Sequence, residues 1–377
     1  MPHKPKLSNL SIGTESMKKM FPLGCAGLGI QNSSKANPVS LNEPTILEQF
    51  ELLKDAEIFD FIDRIPLEDS QVDAYIQASQ KTNIPIHSGC GLYVIGKDEL
   101  AFKNDINRSA AVGAKFHNTM IWAKHADGHY VTNEEVARTY IEFYSYAQSK
   151  GISITLECHV DNWSEDYRRV IPVADLVEKE GIPFEFAMDY SHCIFKIEND
   201  IELAVSQLRH DPEATRKLDP FNHDSFADDW LNRNLVTWAQ VRPAVPNNPV
   251  NWWAFETGPY NGLGTNRPGR GIQYPFNKPN EDEWHSDFWH AYKLAPTKEV
   301  IRKTIDSYLN NPNSKLQLMT VDNINLESYG LNWKYNMFAD SCSVAKYIRE
   351  IYAERLAVYE AKQKAQPSYS NPLLQAG

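Results

Sequence analysis

Four short apolar runs of this 377-residue chain end on side chains that can bind a cation or move a proton. One reads Leu156-Glu157-Cys158-His159 and another Met188-Asp189-Tyr190-Ser191-His192. A third carries Gln240 and Arg242, and the last ends Thr320-Val321-Asp322. Side chains alternate along a strand, so Glu157 shares a face with His159 and Gln240 shares one with Arg242. Glu157, Asp189, Gln240 and Asp322 therefore come to one rim. An oxygen-rich set of this kind suits one divalent metal ion, with Mn²⁺ first and Mg²⁺, Zn²⁺, Fe²⁺ or Co²⁺ as the other candidates. Carboxylates gathered in one concavity also need positive charge beside them. A cation that polarises a carbonyl, next to a carboxylate that removes the adjacent C–H proton, is machinery for enediolate chemistry. Each residue taken singly has a plainer use, as a helix cap, a salt-bridge partner or a turn former. Four of them ending successive strands is harder to assign to chance.

The elements that must position these residues alternate through the chain. Eight apolar runs read as strands: Phe21–Cys25, Ile58–Ile62, Ile84–His87, Lys115–Trp122, Ser153–Cys158, Pro183–Met188, Val236–Val241 and Leu316–Val321. Amphipathic stretches lie between them, clearest at Asn42–Lys54, Glu68–Gln80, Asn133–Lys150, Ser164–Lys179 and Lys298–Leu309, with a closing helix over Asp340–Gln363. Asn133 and Ser164 each precede acidic residues, as helix caps do, and Gly151 and Gly181 read as helix stops. Eight β-α units predict a (β/α)₈ TIM barrel, a single domain over residues 1–365 followed by a tail at 366–377. In such a barrel the active site lies at the C-terminal ends of the strands.

One connection is out of proportion. Residues 243–295 are rich in Pro, Gly, Asn and aromatics, which predicts a long ordered loop after strand 7 covering the mouth. Within it, Arg267-Pro-Gly-Arg270-Gly offers Arg270 as a guanidinium for a substrate phosphate or carboxylate. Arg242 either clamps a substrate oxygen or pairs with a carboxylate to hold the loop. His125 and His129, after strand 4, either reach the mouth or sit on a solvated loop.

Charge and composition exclude several functions. A net charge of −11 lacks the basic footprint of a nucleic-acid binder or an anionic-membrane binder. No apolar run is long enough to span a bilayer, and the N-terminus has no signal-like apolar core, so the expected location is cytoplasmic. Cys25, Cys90, Cys158, Cys193 and Cys342 are widely spaced, without a Cys-x-x-Cys, and read as reduced thiols.

The run Glu157-Cys-His-Val-Asp-Asn-Trp-Ser-Glu-Asp, followed by Met-Asp189-Tyr-Ser-His192, resembles the xylose-isomerase-like TIM-barrel superfamily. That group contains sugar isomerases, ketose 3-epimerases, sugar-phosphate isomerase/epimerase-like proteins and endonuclease IV. The resemblance implies a small sugar or sugar derivative as substrate. It implies Glu157 as metal ligand and catalytic base, Asp189 as metal ligand, and His192 as a catalytic histidine touching substrate. His159, Arg242, His125 and Arg270 are the further candidates for substrate binding. Gln240 stands where ketose epimerases have a histidine ligand. Asp322 stands where they have a second catalytic glutamate, and its shorter side chain puts two-faced epimerisation in question. The implied activity is a metal-dependent sugar isomerase or epimerase. The alternatives are a lyase that eliminates from an oxidised sugar or glycoside, and a non-catalytic sugar-binding barrel. Barrels of this group often pair through their loops, which leaves a homo-oligomer open.

Overall fold

The computed structural model describes residues 18–30, 44–247, 272–281, 289–324, 329 and 336–365. All eight runs form strands: β1 Leu23–Ala26, β2 Phe61–Asp63, β3 Ile86–Tyr93, β4 Phe116–Ile121, β5 Ser153–Glu157, β6 Phe186–Asp189, β7 Val236–Val241 and β8 Leu318–Val321. They are parallel and close in chain order, with β8 paired back to β1. The expected β3 ends too early. Ser88-Gly-Cys-Gly has poor strand propensity, but a six-residue register with β4, from Ser88↔Phe116 to Tyr93↔Ile121, overrides it.

Helices α1 Ile46–Ala56, α2 Val72–Thr82, α3 Glu99–Ala111, α4 Asn133–Ser149 and α5 Val170–Lys179 cover the outside of the barrel, joined by helices Ala295–Asn310 and Met337–Ala365. Two cap assignments are corrected. Helix α4 is capped by Thr132, because a capping box needs the hydroxyl three residues before its acid: Glu135 N donates to Thr132 Oγ1 and Thr132 N to Glu135. Ser164 caps nothing. Its hydroxyl donates to Glu157 O at 2.7 Å and accepts from His159 N at 3.0 Å, which ties down the end of β5. Gly151 and Gly181 do end helices, with φ of 72° and 75°.

Lumen-facing positions follow a strict step of two. Phe61, Phe116, Ala187, Trp238 and Leu318 pack together low in the barrel as a separate apolar cluster. Gly24, in register with Phe61, leaves space for that ring; a Cβ there would lie 2.2 Å from it. The single polar atom of Trp238 is satisfied, since Nε1 donates to Thr320 Oγ1 at 2.9 Å. The main core lies outside this ring, between strands and helices. Cys158 and Cys193 are buried there, and their Sγ atoms are 3.8 Å apart.

Of the expected loop at 243–295, residues 243–247, 272–281 and 289–295 are described, and they dock onto the barrel. Tyr274 N donates to Pro243 O at 2.9 Å, and Asp340 of the closing helix accepts from Phe276 N at 3.0 Å. Arg267, Arg270 and the tail at 366–377 lie outside the described residues, as do Trp252, Trp253, Phe255, Tyr260, Trp284 and Phe288. Among the described residues no helix is long and apolar enough to cross a membrane.

Candidate active site

Two residues above the apolar floor the lumen turns polar. Phe61, Phe116, Ala187, Trp238 and Leu318 are followed on the same face by Asp63, Asn118, Asp189, Gln240 and Thr320. Asp189 and Gln240 are paired in register, and Glu157 reaches this layer through Asn118, whose Nδ2 donates to its carboxylate. A further step of two brings His159, Arg242 and Asp322. A cavity of about 440 Å³ opens above, lined by Asp63, Glu157, His159, Gln240, Arg242 and Asp322 together with Trp122, Ile272 and Tyr329. The sequence-expected residues of the four strands therefore converge.

Arg242 is the organising cation. It has no solvent exposure, and its guanidinium lies between two carboxylates, reaching Asp189 through Nη1 and Asp322 through Nη2. Nε donates to Asp322 O at 2.8 Å and Nη1 to Ser191 Oγ at 2.7 Å. The guanidinium carbon lies over the Tyr329 ring, 4.7 Å from its centroid. Of the two roles open to Arg242 in the sequence, the carboxylate pairing is the one formed. Asp189 is fully engaged: Oδ1 accepts from Ser191 N and Oγ, and Oδ2 from Arg242, with His192 Nε2 at 3.1 Å.

Glu157 is 2 % exposed and its carboxylate accepts from Asn118 Nδ2. The other end of Asn118 accepts from Thr155 Oγ1 at 3.2 Å, which fixes the amide's orientation. Burial, then Asp189 and Asp322, push the Glu157 carboxyl well above the usual carboxylate range. Burial would also raise Asp189, but Arg242 and His192 outweigh it and hold this carboxyl low. Burial raises Asp322 to about 8, against the pull of Arg242. His192 is pushed down to about 4 by burial, and His159 well below its usual range by burial and then by His192. Both imidazoles are therefore neutral at pH 7.

Asp63, at the end of β2, was not among the sequence candidates. It accepts from Ser88 Oγ at 2.8 Å, and burial raises its carboxyl to about 7. A carboxyl raised on folding contributes most stability below its unfolded pKa, and that contribution is lost as pH rises through the folded value. Asp63→Asn is expected to remove the loss, so its stability gain over the parent should grow from near zero at pH 4 to the order of 2 kcal/mol at pH 8. Urea midpoints at the two pH values measure it, and an equal change at both would refute the assignment.

The metal-ligand set implied by the resemblance meets Arg242. Two of its four members, Asp189 and Asp322, already have that guanidinium as their cation. Glu157, His159 and His192 form a different group, each offering a ligand atom within 4.8 Å of the others. These residues fit a divalent ion by donor chemistry, as a carboxylate with two neutral imidazoles. They fit by charge too: among the described residues four buried carboxyls (Asp63, Glu157, Asp189, Asp322) meet one fully buried guanidinium, that of Arg242, with Arg64 the other arginine in the cavity wall.

A second, larger cavity of about 800 Å³ adjoins the first and shares Trp122, Asp161 and Asn162 in its walls. His125 lines this outer cavity and not the one around Glu157. Asn162 is 1 % exposed, and neither its Nδ2 nor its Oδ1 has a hydrogen-bond partner. Asn118 and Asp63 could have been found in the sequence by stepping two residues from Phe116 and Phe61. Asn162 carried no such signal.

No family model matches the chain, and no curated protein matches it. Solved structures do. A xylose isomerase-like TIM barrel protein from Mycobacterium smegmatis, in complex with magnesium, is 12% identical over 89% of this chain and 98% of that one, with a TM-score of 0.52. An L-ribulose 3-epimerase is 10% identical over 94% of this chain and 100% of its own, with a TM-score of 0.49. A D-allulose 3-epimerase from Methylomonas sp., in complex with D-allulose, is 14% identical over 90% and 99%, with a TM-score of 0.47. A closed eight-stranded parallel barrel, superposing on the first of these along nearly its whole length, gives this chain the fold of the xylose isomerase-like TIM barrels.

Proposed function

We propose that this chain is a carbohydrate isomerase or epimerase that moves a proton at a carbon next to the carbonyl of a small polyhydroxylated substrate. The observation that carries the reading is Glu157: a buried carboxyl with a raised pKa, fixed by Asn118, in the wall of a cavity at the C-terminal ends of the strands. Enzymes that abstract carbon-bound protons near pH 7 need a base tuned upward in this way. Glu157 removes the proton, and the C–H electron pair moves into the carbonyl to form an enediolate. In an isomerase Glu157 then returns the proton to the neighbouring carbon while the hydroxyl proton passes to the former carbonyl oxygen; in an epimerase the original carbon must instead receive a proton from the opposite face. His192 and Arg242 hold the carboxylates around the substrate, and His159 presents its ring to the cavity. A divalent ion held by Glu157, His159 and His192, with Mn²⁺ and the more nitrogen-tolerant Zn²⁺, Fe²⁺ and Co²⁺ as candidates, would supply a Lewis acid for the carbonyl oxygen.

Two features favour one-faced chemistry. Two-base epimerisation needs a second free base across the substrate, and the Asp322 carboxylate is bound by Arg242. The outer cavity behind Trp122 has room for a second sugar or an aglycone. A β-leaving group placed there would be expelled as the enolate pair forms the new C=C bond, departing with the electron pair of its own C–O bond and then taking up a proton, which would make the enzyme a lyase on an oxidised glycoside. Tyr130→Ala, in the wall of the outer cavity and not of the inner one, is expected to raise KM for such a glycoside about tenfold, the loss of one aromatic contact, and to leave a monosaccharide's KM unchanged. Equal effects on both substrates would remove the outer cavity from the reading.

The test of the main reading is incubation with aldoses, ketoses and keto-glycosides in D₂O. Solvent deuterium at a substrate carbon, with isomerised, epimerised or eliminated product, is the expected result. Sugar binding without exchange for any substrate would overturn it in favour of a non-catalytic sugar-binding barrel.

A further inference from the structure

Outside the barrel mouth, the segment after β4 folds into a tight antiparallel hairpin, with Lys124 bridged to Tyr130 and His125 N donating to His129 O at 2.9 Å. Gly128, at φ 96°, supplies the left-handed step that closes the turn. The hairpin brings His125 and His129 together with their rings stacked, centroids 4.7 Å apart and planes inclined by 21°. Both rings direct Nδ1 at one oxygen of Asp127, which lies 3.2 Å from His125 Nδ1 and 2.5 Å from His129 Nδ1. The same Asp127 oxygen accepts from His129 N at 3.1 Å, and Asp127 N lies 3.3 Å from His125 Nδ1. One ligand atom from each of the three residues falls within 4.8 Å of the others.

We propose that His125, Asp127 and His129 form a binding site for zinc or a similar first-row transition-metal ion, separate from the barrel site. Bonds of about 2.0–2.1 Å in a tetrahedron set ligand atoms roughly 3.3 Å apart. The His125–Asp127 distance already has this value, and the His129–Asp127 distance needs to open by less than 1 Å. Two nitrogens and one carboxylate oxygen are a zinc-type donor set, with the fourth position left to water.

The arrangement behind His129 points the same way. Its other ring nitrogen, Nε2, lies 3.0 and 3.1 Å from the two oxygens of Glu135. A carboxylate on the far side of a ligating imidazole orients the ring and makes it a better donor. Glu135 is itself held, because its Oε2 accepts from Thr132 N at 2.8 Å in the capping box of α4. A protonated His129 between two acids would account for His129 alone. The backbone N–H of Asp127 donates to His125 Nδ1 and holds this second ring nitrogen beside the same oxygen, where a bound ion would take over its lone pair. Because Lys124, His125, Gly128 and Tyr130 line the outer cavity, the ion would brace the wall of that cavity against the start of α4.

The test is zinc titration of the metal-stripped full chain by calorimetry, comparing the parent with Glu157→Gln, His125→Ala/His129→Ala and Glu135→Gln. The double substitution is expected to remove one equivalent of bound zinc with the circular-dichroism spectrum unchanged, while Glu157→Gln retains that equivalent. Glu135→Gln is expected to weaken it about 10–100-fold. The proposal is overturned if the double variant binds as much zinc, as tightly, as the parent, or if Glu157→Gln takes up none. In the first case zinc goes to the barrel site, and in the second the hairpin holds no ion.

Discussion

Glu157→Gln is expected to lower turnover by about 10²–10⁴-fold, the usual contribution of a positioned general base, while the barrel folds normally. The amide is nearly isosteric and can still meet Asn118, but it has no proton-accepting carboxylate. Exchange of the substrate C–H proton in D₂O should fall by the same factor as turnover, because both need the same abstraction. If turnover fell while exchange kept the parent rate, Glu157 would be acting after the proton is removed, and the assignment as base would fail. The same substitution has a stability signature. A carboxyl raised by folding favours the fold at low pH and loses that contribution as pH rises towards the folded value. The variant should therefore match the parent near pH 4 and exceed it at pH 8 in denaturant midpoint. A catalytic residue whose removal stabilises the protein is what a strained, functional carboxyl predicts.

Arg242→Met should act in the opposite direction and destabilise the protein by about 3–5 kcal/mol at pH 7, as breaking a buried ion pair by removing one partner does. The guanidinium holds two carboxylates with 0% and 8% side-chain exposure, and the more deeply buried Asp189 cannot turn to water once it is gone. Chemical denaturation measures the loss. Adding Asp189→Asn and Asp322→Asn to Arg242→Met should recover a large part of it, because the cost comes from the orphaned charges and not from the lost contact area. If the triple variant were as unstable as the single one, packing over Tyr329 would be the main role of Arg242.

The architecture was legible because two periodicities are written plainly in the chain. Apolar runs such as Val236–Val241 are too short for helices, and stretches such as Asn133–Lys150 carry a helical repeat ended by a glycine. The step of two then placed Glu157 with His159 and Gln240 with Arg242 on the lumen side. What stayed hidden depends on meetings between distant strands. No spacing shows that Arg242, just past β7, reaches Asp189 on β6 and Asp322 past β8, which places a guanidinium beside two of the four expected metal ligands. Asn118 was obscured for a related reason. It lies inside an apolar run, and its role appears only when Thr155 and Glu157 arrive from β5. The capping of α4 was misplaced by one residue because Asn133 and Thr132 are both good caps, and the position of Glu135 decides between them.

The plug of Phe61, Phe116, Trp238 and Leu318 has a kinetic consequence. A lumen stoppered at one end is a cup and not a pipe, so whatever reacts there enters and leaves by the same door. Product must clear the mouth before the next substrate molecule can approach. Traffic through that opening can then limit the cycle even when the chemical step is fast, and accumulated product should compete with fresh substrate for the cavity.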